Sequence, residues 1–251
     1  METLRDLVDV QRDEFFRWLP TAVKLPTTAS PGPGDYLQAF REMAQRTHEI
    51  VTVHMTSLGS GAYQAAMAAR DMARQMLPEL RIEVIDSRNV SLCQGWMVIE
   101  AARAALAGVS FEGVVECVHR LIPKTHMIQT ADTLRYLYMG GRIGKAKHLV
   151  GSLLRIKPLI GMENGVIVPL GTTRSRARAY QRMAEMMEEA VGHLGKVKVA
   201  FVHAAAPEEV EKLRRVVEER LNCVEVLIAE LSPALGVHTG PGTVGVCYYP
   251  L

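Results

Sequence analysis

Seven short apolar runs, each closed by turn residues and separated by helix-like stretches, constrain this chain more than any other feature. They are residues 49–55 (EIVTVHM), 81–87 (RIEVIDS), 126–131 (HMIQTA), 165–173 (GVIVPLGTT), 196–204 (KVKVAFVHA), 223–231 (CVEVLIAEL) and 243–249 (TVGVCYY). Helical periodicity fills 34–47, 61–77, 91–107, 110–121, 174–193 and 207–221. In the last of these, Pro207 and two acids open the helix, and Val210, Leu213, Val216 and Val217 form one stripe. Strands alternating with helices predict an α/β fold with short crossovers. The continuously apolar runs predict a parallel sheet covered on both faces.

The chain's 251 residues suffice for one large domain or two smaller ones. A change of composition near Pro123 predicts two α/β domains, 1–122 and 123–251. The stretch that then joins the halves reads as a basic helix, a stop at Lys157-Pro158 and a hairpin turn at Asn164-Gly165. A net charge of +2 and 6% aromatic residues give no basis for nucleic-acid binding. The four cysteines are too widely spaced for a zinc pattern and read as reduced thiols. No run resembles a signal peptide or spans a bilayer, so a cytoplasmic protein with at most transient membrane contact is expected.

Several segments could hold something polar. In HMTSLGSGAYQAA (54–66), a strand runs into a helix through Ser60 and Gly61. Free amides and the positive end of the helix dipole would favour an anion there, although Ser60 also reads as a plain helix cap. Thr27 and Thr28 lie on a proline-held loop, either as pre-positioned donors or as exposed turn residues. Asp86 and Ser91 lie at another strand-to-helix junction, where a structural role is favoured. Arg174 follows a strand and opens a helix, reading as a carboxylate or phosphate fork or as part of a solvated basic turn. LGVHTGPGTVGV (235–246) sets His238 and Thr239 among glycines that let backbone approach closely. MGGRIGKAK (139–147) lacks phosphate-loop spacing. These groups are hydrogen-bond donors without an assembled nucleophile and base, which favours binding over catalysis and calls for no cofactor or metal.

Taken together and in order, the segments resemble the DegV family of bacterial fatty-acid-binding proteins. LPTTASPGPGDY is similar to the family's P-T-T-S-Q-P-S-P, SLGSGAYQAA to S-x-L-S-G-T-Y, VIDSRNVSLCQG to its D-S motif, and TRSR to A-R-T. TLRYLYMGGRIGKAKHLVGSLLRIKPLI nearly repeats the family's central signature, and GVHTGPGTVGV matches near the end. The resemblance implies two α/β domains enclosing one long-chain fatty acid, with the acyl tail in an apolar tunnel. It implies a carboxylate held by Thr28, Ser60, the Gly61 amide, Arg174 and His238. It further implies that a separate fatty acid kinase phosphorylates that carboxylate while this protein, itself no enzyme, presents it.

The chain departs from the pattern at Ala29, Gly59 and Ala62, where the family commonly has serine, leucine and threonine. The family also usually opens with a strand, a D-S-T or D-S-S motif, a helix and a second strand, so a β-α-β piece is expected to be lacking. Two alternatives remain at this point. One is an enzyme acting on a small acid or acyl phosphate with His238 as general acid or base. The other is a diverged or truncated homologue that no longer binds ligand.

Overall fold

A computed structural model describes residues 3–152 and 156–251. The fold is α/β and divides into two compact units. The smaller comprises Ala29–Thr125 with Asn164–Val166, and the other described residues form the larger.

The smaller unit is built on a βαβ crossover. Strands β1 (Glu49–His54) and β2 (Arg81–Asp86) pair in parallel, with Ile50 opposite Ile82. Helix α3 (Ala62–Met76) connects them and presents Ala62, Ala66, Ala69 and Ala73 as its buried stripe. Such small side chains at helical spacing let the helix lie close to its neighbours. Ala66, Ala69 and Ala73 join Phe40 of α2 (Pro33–Ala44), Ile50, Ile82 and Val84 in one core. Helices α4 (Ser91–Leu106) and α5 (Phe111–Leu121) complete the unit. Ser110 caps α5 by accepting the Gly113 amide.

The larger unit holds a six-stranded sheet in the order β5-β4-β3-β8-β6-β7. These strands are β3 (His126–Thr130), β4 (Lys157–Glu163), β5 (Val166–Thr173), β6 (Lys196–His203), β7 (Asn222–Glu230) and β8 (Val244–Pro250). The parallel expectation, met by β1 and β2, is corrected in this sheet, which is mixed: β3 runs antiparallel to β4 and β8, β6 runs antiparallel to β8, and β6 with β7 is the described parallel pair within it. Continuous apolarity reported burial correctly, for every residue of β8 except Pro250 is buried, but burial does not encode strand direction. Helices α7 (Arg176–Val191) and α8 (Pro207–Glu218) supply Tyr180, Met183, Met187, Leu213 and Val217 to a core shared with Phe201 and Val246.

Two further readings change. Lys157-Pro158 does not stop a helix. It opens β4, where proline is tolerated because the described β3 pairing begins only at Leu159. The basic stretch before it is 3₁₀ over Gly144–Ser152. Asn164 and Gly165 both have positive φ, 48° and 82°, as a two-residue hairpin turn requires.

The compact units also cut the chain differently from the expected 1–122 and 123–251 division, because the residues up to Thr28 belong with the larger unit. The cause lies in α1 (Arg12–Trp18), whose Phe15 and Phe16 are buried. A Cβ at Gly236 of α9 (Pro233–Thr239) would overlap the Phe16 ring, so glycine there is what lets the two helices meet. The Asp6 carboxylate also accepts the Ala234 amide at 3.2 Å.

Among the described residues, no helix is long and apolar enough to cross a membrane, and no group of three or more His, Cys, Asp or Glu is placed to hold a metal ion.

Candidate functional site

In the larger unit, three segments distant in sequence meet at His238. The segment 235–239 is the end of α9, which begins at Pro233 and stops at Gly240. Gly240 has φ 78° and ψ 158°, a region essentially confined to glycine. A Cβ there would also overlap the buried ring of Tyr136 on α6 (Arg135–Met139). The stop therefore demands glycine twice over.

His238 Nε2 lies 2.9 Å from Thr28 Oγ1, across 210 residues of sequence. The other ring nitrogen, Nδ1, is buried and has no hydrogen-bond partner among the described residues. It faces Gly140, where any Cβ would overlap it. Arg142, two residues on, donates to the Gly140 carbonyl at 2.6 Å. Burial, and after it the positive charge of Arg142, lower the His238 pKa to about 4. The imidazole is therefore neutral at pH 7. The Thr28 hydroxyl can complement Nε2 as donor or acceptor, whichever nitrogen carries the proton. A hydroxyl against an imidazole has the outline of a nucleophile and its base. Among the described residues no carboxylate or carbonyl meets Nδ1 to orient it as such a base. The arrangement suits holding a polar group.

Ser60 and Gly61 lie in the smaller unit. Ser60 Oγ accepts the Ala62 amide at 3.2 Å, and the Ser60 amide donates to the Thr56 carbonyl at 3.2 Å. Ser60 thus takes the capping role at α3 while keeping lone-pair capacity. Gly61, the N-cap residue, is exposed, and among the described residues its amide meets no protein acceptor. Ser30 Oγ lies 3.3 Å from where a Gly61 Cβ would be, so the proline-rich loop packs against this helix start. The Thr56 hydroxyl anchors the turn by donating to the Gly165 carbonyl at 2.9 Å.

Arg174 is exposed, in the larger unit between β5 and α7. The partly buried arginine of that stretch is Arg176, which donates to Asp132 and to the Gly242 carbonyl. Asp86 is structural: its carboxylate accepts the amides of Ser57 and Arg88. Ser91 does not cap α4 but starts it with φ 55°. The structure thus unites Thr28 with His238 and Ser60 with Gly61. It also adds Gly140 and Arg142 from MGGRIGKAK, whose spacing matches no phosphate loop. Two grooves lie on the larger unit. One of about 280 Å³ is lined by Asp13, Phe16, Arg17 and Ala205, and another of about 260 Å³ by residues including Leu159, Thr173 and Glu185. Neither is bounded by Thr28, Arg174 or His238.

This fold has known counterparts. The profile described as "Uncharacterised protein, DegV family" matches residues 2–251, so the chain belongs to the DegV family. A DegV domain-containing protein of Caldanaerobacter subterraneus is 30% identical over 247 residues, covering 98% of this chain and 86% of that protein. Among solved structures, a DegV family protein from Thermus thermophilus, described for its fatty acid binding, superposes with a TM-score of 0.91. It is 28% identical, over 99% of this chain and 87% of that one. The Streptococcus pneumoniae fatty acid kinase B3 protein, solved loaded with linoleic acid, shares the fold with a TM-score of 0.86 and 22% identity, over 96% of this chain and 84% of that one.

Proposed function

We propose that this protein binds a long-chain fatty acid and presents its carboxylate to a separate fatty acid kinase, which converts it to an acyl phosphate. The observation that carries the reading is the Thr28–His238 pair, two polar side chains brought together over 210 residues beside Arg142. Pairing this remote, half-buried and glycine-flanked serves a ligand better than it serves a loop. The fatty-acid-binding relative from Thermus thermophilus supports the choice of ligand.

In this reading Thr28, His238 and Arg174 donate to the carboxylate from the larger unit. Ser60 and the Gly61 amide are further donors to the same group. A carboxylate buried without such partners would lose several kcal/mol. Hydroxyls, a helix N-terminus and a cation replace the lost water. The acyl tail occupies an apolar tunnel and contributes roughly 0.8 kcal/mol per buried methylene. The tail thus supplies affinity and the head site supplies orientation.

Mass spectrometry of an organic extract of the purified protein tests the reading. It should release a fatty acid with roughly the chain length of a membrane acyl group, about 14 to 18 carbons. A protein that yields none, and that takes up neither added oleate nor palmitate, would overturn it.

A further inference from the structure

One polar cluster of the larger unit is not used by the proposed function. It centres on Arg176, at the first turn of α7, whose side chain is only 20% exposed. Its Nη2 donates to Asp132 Oδ2 at 2.6 Å and to the Gly242 carbonyl at 2.7 Å. Its Nη1 donates to the Tyr180 hydroxyl at 3.2 Å, and that hydroxyl donates to Glu209 at 2.6 Å. Lys157 Nζ donates to the other Asp132 oxygen at 2.5 Å.

Two of these contacts end on the segments that flank His238. Asp132 stands three residues before α6, which carries Tyr136 against Gly240 and leads to Gly140 against the imidazole. Gly242 lies four residues after His238, in the loop where Thr243 Oγ1 donates back to the Thr239 carbonyl at 2.9 Å. A single guanidinium therefore ties together the two segments between which the ring is held. Lysine would not replace it fully, because the planar guanidinium holds Asp132 and Gly242 through Nη2 while Nη1 reaches the Tyr180 hydroxyl, whereas an ammonium is a single compact point charge.

We propose that Arg176 is a positioning residue. By clamping the Asp132 loop to the Gly242 loop, it sets the His238 ring in register with Thr28 and thereby tunes the head-group site. The proposal rests on the fatty-acid reading for its consequence but not for its structural core, so the two are tested separately.

The first measurement is the imidazole ¹⁵N–¹H correlation spectrum of the full-length apo protein, with His238 assigned through His238→Gln. Arg176→Ala should move the His238 signals while those of exposed His119 and His193 stay in place. Arg176→Lys should return them part of the way. The second is titration with oleate, for which Arg176→Ala should weaken binding on the order of tenfold or more, as ångström-scale misplacement of a binding group does. A folded Arg176→Ala protein with wild-type His238 signals would overturn the proposal. If that variant does not fold, Asp132→Asn keeps the shape but removes the charge, and unmoved His238 signals there overturn it equally. If the His238 signals move but the wild-type protein binds no oleate, the positioning role stands and the fatty-acid reading falls.

Discussion

The two donor sets are built in opposite ways. Ser60 and Gly61 are local: a strand ends, a turn follows, and a helix begins with its amides pointing outward. Thr28 and His238 are assembled from afar. They depend on α1 drawing the N-terminal residues onto α9, on Gly140 leaving room for a ring, and on Gly240 ending a helix where other residues could not. A local set should survive most substitutions elsewhere. A set assembled over long range should fail when any one of its supports is altered.

The sharpest way to break this contrast is Gly240→Ala. It forces alanine into a conformation reserved for glycine and drives its methyl into the Tyr136 ring. A loss of about 2–4 kcal/mol is expected in urea unfolding, together with loss of oleate binding. Gly61→Ala, at an ordinary φ of −75°, should cost far less.

Acid should act on the assembled set next. The folded pKa of His238, about 4, lies below its ordinary 6.5. Between those values the unfolded chain takes up the proton first, so stability is complete above about pH 6.5 and declines as pH falls toward 4. This residue accounts for up to about 3 kcal/mol of the decline. His54, His126 and His203, lowered chiefly by burial, add in the same direction. His238→Gln should flatten the profile in urea titrations at stepped pH. An unchanged slope would show that the ring is not the group in question.

Smaller effects sharpen the local side. Ser60→Ala removes the acceptor of the Ala62 amide and should lower apo stability by about 1 kcal/mol, within the range of lost helix caps. Arg174→Ala, at an exposed position, should change apo stability by less than about 0.5 kcal/mol. If Arg174 reaches the carboxylate, the same variant should still weaken oleate binding in calorimetry.

The sequence was most legible where structure is local. The seven apolar runs became strands within a residue or two, because turn residues mark their ends. Strand β4 was hidden by Pro158, which reads as a breaker although it sits ahead of the described β3 pairing. The mixed sheet was hidden because burial is silent on direction. Thr28 and His238 were nominated separately, and their pairing lies beyond any periodicity. The role of Gly140 is not legible in sequence, because glycine's value there lies in the ring packed against it, a partner nearly a hundred residues away. Arg174 is exposed and Arg176 partly buried, and spacing in sequence does not tell which of two nearby arginines is buried.

The proposal that the Thr28–His238 pair holds a fatty-acid carboxylate, and the separate proposal that Ser60 donates to it, are tested most directly by ¹³C NMR of oleate labelled at its carboxyl carbon and bound to the protein. The account predicts a single bound resonance whose carboxyl stays ionised well below the pH at which free carboxylates titrate, shifted by His238→Ala and separately by Ser60→Ala. A bound resonance indifferent to both substitutions, or none at all, would contradict it.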